Sequence, residues 1–429
     1  MKKLLLSALL PLSIGGFDLD PRSRAYDPAR DDPAHLAPHE QVATNLNEIG
    51  YTNSGGRREI PWSDRAWDHN RALLNERYTD KNFTKLSSWP SRRDYAERWS
   101  VKRALGLPPG PQRDAVIATL SPAEKYDLIM GTVDGGLADA NRSLLDRNMD
   151  SSGKFPTWWG ICDGSAAASL ASPEPVHKIT VPSAAYGVDV TFYAPDIKAL
   201  VSMLWSTYNK KLHLPEIGEQ CEVSASGGAC ADVNPASFHR AAYHFLGKGN
   251  GHLLMDIDAT RVVWNHPIHR YELYYYPPHG SPRDRVESFH EALLSVRDAP
   301  DDPRRRLRAR GTAYLLGVVA KVYYGDNQRS HPLEGSVKRG EKVMDLQYEL
   351  ELDENLNLLG GEWLSKRHPD LMWTIPHGSN PDTAGDIALG GASWDGYSPI
   401  SGWENAARQS ANGVLPLRKV VEALVERSK

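Results

Sequence analysis

Cysteine is scarce in this chain. The 429 residues hold three, Cys162, Cys221 and Cys230, which is enough for one disulfide with one thiol left over. An excess of positive charge is also missing. Lys and Arg number 50 against 54 Asp and Glu, a formal net charge of −4, whereas a dedicated nucleic-acid binder carries a basic surplus. The longest apolar run, Leu4 to Ile14, is too short to span a bilayer, and no internal repeat is visible. Membrane channel, fibre and histone-like readings are excluded. What is present is 30 Pro, 35 Gly, 12 Trp and 18 Tyr, the composition of a loop-rich chain with an aromatic core. The length suggests about two domains and allows one large core.

Met1-Lys2-Lys3, the apolar run and Gly15-Gly16 together read as a secretory signal over residues 1–17, so the expected location is secreted or periplasmic. In an oxidising compartment Cys221 and Cys230 would bond across Glu222 to Ala229, leaving Cys162 free. Residues 18–115, rich in Pro, Arg, Asp and Asn, read as an extended arm or pro-segment that needs docking for order. Residues 116–400 form the expected body, and 401–429 a closing helix over about Ala406 to Arg427.

Within the body, Ser121-Pro122-Ala123-Glu124 signals a helix start with a capping box. Ala194 to Tyr208 has helical spacing. Strands are expected at Tyr271–Tyr276, Ala313–Tyr324 and Lys342–Asp353. His239–Leu246 and His252–Asp258, flanking Gly247-Lys-Gly-Asn-Gly251, read as a hairpin. Helices first and an antiparallel sheet second give an α+β fold. The Arg-rich run 303–310 follows two aspartates and reads as a solvated loop before a strand rather than a site for an acidic partner.

Cys162 lies in Pro156-Thr-Trp-Trp-Gly-Ile-Cys-Asp-Gly-Ser-Ala-Ala-Ala-Ser169, where small residues follow it until Pro173. That places the thiol at a helix N-terminus, where the helix dipole favours a thiolate, with Trp158 and Trp159 as apolar walls. Acyl transfer also needs a base and a group to orient it. In the expected hairpin His239 stands near Asp256 and Asp258, either of which could reach it, while His244 and His252 are competing bases.

Leu120-Ser-Pro-Ala-Glu-Lys-Tyr-Asp-Leu128, Trp159-Gly-Ile-Cys162, Pro195-Asp-Ile-Lys-Ala-Leu200, Phe238-His239 and Val263-Trp-Asn-His-Pro267 resemble the transglutaminase elicitor family of oomycete wall transglutaminases and bacterial relatives. A tail follows at Gly360-Gly-Glu-Trp363 and His368-Pro-Asp-Leu-Met-Trp373. The resemblance implies a papain-like cysteine core, with a helical N-terminal part and an antiparallel sheet, and a Cys162–His239–Asp256 triad. It also implies protein substrates bearing glutamine and lysine. The chain departs from the family at Ser165, where an aromatic is usual. It departs again at His266, Ile268, His269 and Arg270, in the segment through which relatives are recognised by plants.

The chemistry expected is attack of the Cys162 thiolate on a glutamine carboxamide, loss of ammonia, and attack of a lysine amine on the thioester. Trp158, Trp159 and Trp264 would line the substrate cleft and exclude water. The rivals are a papain-like protease or deamidase on the same triad, and a non-catalytic secreted recognition module. Neither nucleic acid nor stable membrane insertion is expected. No cofactor is required by the pattern. Asp134 and Asp139 hint at Ca2+, and the pairs His35/His39 and His266/His269 have ligand-like spacing, although turn, cap and surface roles account for them.

Overall fold

In Glu341–Leu352 the residues Met344, Leu346, Tyr348, Leu350 and Leu352 recur at every second position, so one face of a strand buries all five. The computed structural model describes residues 26–220, 232–249, 251–257, 262–278, 280–326, 333, 339–396 and 402–429, and there that face closes one of two hydrophobic cores. The expected signal at 1–17, the Cys221–Cys230 pair and Asp258 lie outside the described residues.

The main sheet runs through β1 (Glu216–Gly218), β2 (Leu253–Asp256), β3 (Asn265–Tyr276), β4 (Tyr314–Gly325), β5 (Glu341–Leu352), β6 (Leu358–Trp363) and β7 (Leu371–Trp373). Their order is β6-β5-β4-β3-β2-β7-β1, antiparallel throughout. The strands expected from the sequence fall on β3, β4 and β5, with Ala313 and Asp353 each one residue beyond the observed ends. The helices that matter are α1 (Pro122–Met130), α2 (Leu137–Asn148), α3 (Cys162–Ala171), α4 (Ala194–Trp205), α5 (Pro235–Ala241), α6 (Trp403–Ala411) and α7 (Arg418–Ser428). The fold is α+β, as the sequence indicates.

The pleat sorts side chains into two layers. Leu254 of β2 and its partner Trp373 of β7 join the core of α1, α3, α4 and α7. Leu253 and Met255 join the opposite core, with Phe238 and Tyr348. Residues 26–115 are docked into both layers: Leu36, Val42 and Leu46 enter the second core, while Trp62, Trp67 and Phe83 enter the first. A capping box at Ser121 and Glu124 starts α1, with Pro122 at its first position. The C-terminal segment is two helices, α6 and α7, rather than the single one expected.

The expected hairpin at His239 is not formed. Asn234 caps α5 by accepting the Ala236 N–H, Pro235 opens it, and the helix runs on through a π-turn over Ala242–Gly247. Gly247 ends this helix with Lys248 as its cap, and Gly251 stands just before β2, so the glycines do not join two strands. In the Arg-rich run Arg305, Arg306 and Arg310 are exposed, as a solvated loop before a strand implies, while the other two arginines are paired. Arg308 is bound to Asp302, Glu349 and Glu351, and Arg304 to Glu349.

α3 crosses α4 closely enough that a Cβ at Gly164 would collide with the Ser202 carbonyl oxygen. Gly164→Ala is therefore expected to destabilise the chain by roughly 2–3 kcal/mol through overpacking, measured as a lower urea midpoint at unchanged slope. A midpoint within error of wild type would mean that the helices part at no cost.

Candidate functional site

Cys162 is the first residue of α3, and three contacts with the N-terminal segment fix the helix start and the turn before it. The Ile161 N–H donates to the Ala66 carbonyl at 2.9 Å, the His69 N–H to Trp159 at 2.9 Å, and the Ser165 hydroxyl to Arg65 at 3.4 Å. Gly160 is needed here because a Cβ would sit 2.5 Å from the Ala66 oxygen. The Cys162 N–H, at the helix start, has no acceptor among the described residues.

The thiol faces the sheet and is 6% exposed. It donates to the Val263 carbonyl at 3.8 Å, and the backbone and side-chain amides of Asn265 both face it. Burial, together with the nearby Asp163 and Asp256 carboxylates, pushes it up to about 12 against the opposing pull of the Asn265 amides. The thiolate expected from the helix dipole is thus overridden: desolvation and two like charges outweigh one helix end.

Asp256 ends β2 and pairs in register with Asn265 at the start of β3, so both lie on the Cys162 side of the sheet. One Asp256 oxygen accepts the Trp264 N–H at 2.8 Å, which ties down the segment that covers the thiol. Asn265 is fixed in turn, its Oδ1 accepting the indole N–H of Trp373 at 2.8 Å. Asp163 accepts the Thr207 N–H at 2.7 Å, and burial raises its carboxyl.

His239 does not stand where the sequence places it. It sits on α5, within the opposite core, with Nδ1 2.8 Å from the Tyr348 hydroxyl and its ring 6.5 Å from that of Tyr275. Tyr275 is ten residues along β3 from Asn265, roughly 30 Å at about 3.3 Å per residue. A register shift between Ile268 and Arg270 turns the later odd-numbered residues of β3 to the other face, so Tyr275 and His239 lie across the sheet from Cys162 and Asp256, and the expected triad is not assembled. The other bases fare no better. His244 is held by Glu40 at 3.0 Å, and His252 precedes the far end of β2.

Burial pushes the His239 imidazole from 6.5 down to about 3, so the folded chain keeps it neutral while the unfolded chain protonates it. Its contribution to stability is complete above the unfolded value and is lost as pH falls towards the folded one, at about 1.4 kcal/mol per pH unit. His239→Gln is expected to flatten the acid limb of stability between about pH 6 and pH 4, measured by urea unfolding at stepped pH. An acid limb as steep as that of wild type would place the proton uptake elsewhere.

Trp158 and Trp264 line a cleft of about 610 Å³ together with Arg65, Asp68, His266 and Arg367. Trp159 packs edge-on against Trp158 and His69, at 6.2 and 5.8 Å. The acidic residues near α2 are engaged in turns and ion pairs: Asp134 meets Lys102 at 2.7 Å, and Asp139 caps the Gly135 N–H at 2.7 Å. His266 and His269 bond Gly325 and Arg57 carbonyls, and His269 also meets Glu341 at 3.1 Å, while His35 and His39 are exposed. Among the described residues no group of three potential metal ligands is gathered. Nor is any described helix long and apolar enough to cross a membrane.

The antiparallel sheet with helices packed on it gives the chain the fold of a transglutaminase-related protein. The transglutaminase elicitor family matches residues 134–393, and the chain belongs to that family. In fold it is similar to the GP42 transglutaminase from Phytophthora sojae, with a TM-score of 0.54 and 19% identity over 90% of this chain and 99% of that one. No curated protein matches the sequence.

Asn265, Asp163 and Trp373 are not among the residues expected at the site from the sequence. A signal was present, because Asn265 and Trp373 each sit in a motif segment that carries the family resemblance, with no role assigned to either.

Proposed function

We propose that the chain is a secreted or periplasmic protein-glutamine acyltransferase working through a Cys162 thioester, with glutamine-bearing and lysine-bearing proteins as substrates. The observation that carries this reading is the placement of Cys162 at the start of α3, opposite Asp256 and Asn265 and near the cleft of Trp158 and Trp264. The thiol adds to the glutamine carboxamide, its proton ends on the departing ammonia, and a lysine amine then takes the acyl group and releases the thiol. No described histidine hydrogen-bonds to the sulfur, so the proton-carrying role passes to Asp256, the carboxylate whose charge reaches it from the sheet. Trp158 and Trp264 give the glutamine chain an apolar approach that keeps water from the thioester.

One observation favours a second reading, a recognition module without catalysis: the thiol is capped by Val263 and pushed up to about 12. Mass spectrometry of a glutamine-rich acceptor incubated with a fluorescent amine separates the two, and the hydrolytic alternatives as well. Wild type is expected to give the amine adduct, and Cys162→Ala and Asp256→Asn little or none. Deamidated glutamine or a cut backbone would identify a deamidase or a protease. An unchanged acceptor would leave recognition.

A further inference from the structure

We propose that the side-chain amide of Asn265 is the catalytic hydrogen-bond donor to the negative charge that forms at Cys162 and then on the substrate carbonyl oxygen, and that Trp373 is the residue that aims it. The inference rests on the acyl-transfer reading for its substrate and on geometry for its donor. An indole N–H can only donate, so the Asn265 atom 2.8 Å from Trp373 Nε1 must be its carbonyl oxygen. The NH2 group therefore cannot face Trp373 and is left to other neighbours, and the Asn265 amides act on Cys162 in the direction that favours its thiolate. The bond is buried, with Trp373 at 5% and Asn265 at 4% exposure, so water does not compete for either group.

The backbone holds the same arrangement. Asn265 is anchored by its register with Asp256, Trp373 by its register with Leu254, and the two partners are two residues apart on β2. Three strands thus fix the donor before any substrate arrives, as electrostatic stabilisation of a transition state requires. The Cys162 N–H, without an acceptor at the start of α3, supplies the companion donor. When sulfur adds to the carboxamide carbon, the C=O π pair moves to oxygen and is met by these two donors. When the tetrahedral carbon collapses, the pair returns, the C–N bond breaks, and ammonia leaves with the thiol proton.

Two variants test this in the full chain, with folding checked by thermal melting. Asn265→Ala removes the donor. Trp373→Phe keeps the amide and removes its lock. Asn265→Ala is expected to lower kcat for amine incorporation roughly 10²-fold with little change in KM, and Trp373→Phe roughly 10-fold with the same split. Alkylation of native Cys162 by iodoacetamide at fixed pH is expected to slow roughly 10-fold in Asn265→Ala, since the thiolate loses a donor. If Asn265→Ala does not fold, the same readings on Trp373→Phe decide. Alkylation at the wild-type rate in the folded variant overturns the assignment, whatever the turnover. Slower alkylation in a chain whose wild type incorporates no amine keeps the donor and overturns the acyl-transfer reading instead.

Discussion

Lys125→Met is expected to cost about 3–5 kcal/mol. Lys125 on α1 and Asp196 on α4 form an ion pair at 2.6 Å with both side chains fully buried, and the ammonium also lies 4.7 Å from the Tyr193 ring. Removing one partner leaves the other charge in a dry interior, where its desolvation is no longer offset. Asp196 also closes the start of α4 by accepting the Tyr193 N–H at 2.7 Å, so the loss reaches the helix that backs α3. The paired change Lys125→Met with Asp196→Asn is expected to restore part of the stability. Urea unfolding of the singles and the double gives the coupling, and additive losses would mean that the pair is solvated.

Native Cys162 is expected to react with iodoacetamide at pH 8 roughly 10³-fold more slowly than the same thiol after unfolding. A group pushed up to about 12 is almost wholly protonated there, whereas a free cysteine near 8.5 is partly ionised. The native rate should climb about tenfold per pH unit over the alkaline range. The cause is local: burial acts first, then the charge of Asp163, and Asp256 adds to it. A native rate equal to the unfolded one would show an open, ionised sulfur and contradict the geometry at Val263.

Legibility in the sequence followed the range of the interactions. Helix starts and alternating strands are written locally, so the capping box at Ser121 and the buried face of Met344 to Leu352 could be read residue by residue. The helix carrying Cys162 was readable for the same reason. The segment at His239 reads as a hairpin because a glycine-rich turn serves a helix end as well as a hairpin, and Asn234-Pro235, a cap followed by a first-turn proline, is the local signal that separates the two. A strand in place of a helix then put the imidazole on the wrong side of the sheet. The pKa of Cys162 was not readable at all, since burial and the approach of Asp256 are properties of packing. Motif fragments distant in sequence proved to be partners in space: Lys125 meets Asp196, and Asn265 meets Trp373.

In the proposed function the chemistry lies on the Cys162 side of the sheet and His239 has a structural role. Amine incorporation at pH 8 by wild type, Cys162→Ala and His239→Gln, each normalised to folded protein, tests this most directly. The expected result is activity in wild type, retention within about threefold in His239→Gln, and a loss of at least about 10³-fold in Cys162→Ala. A folded His239→Gln protein as inactive as Cys162→Ala would contradict it.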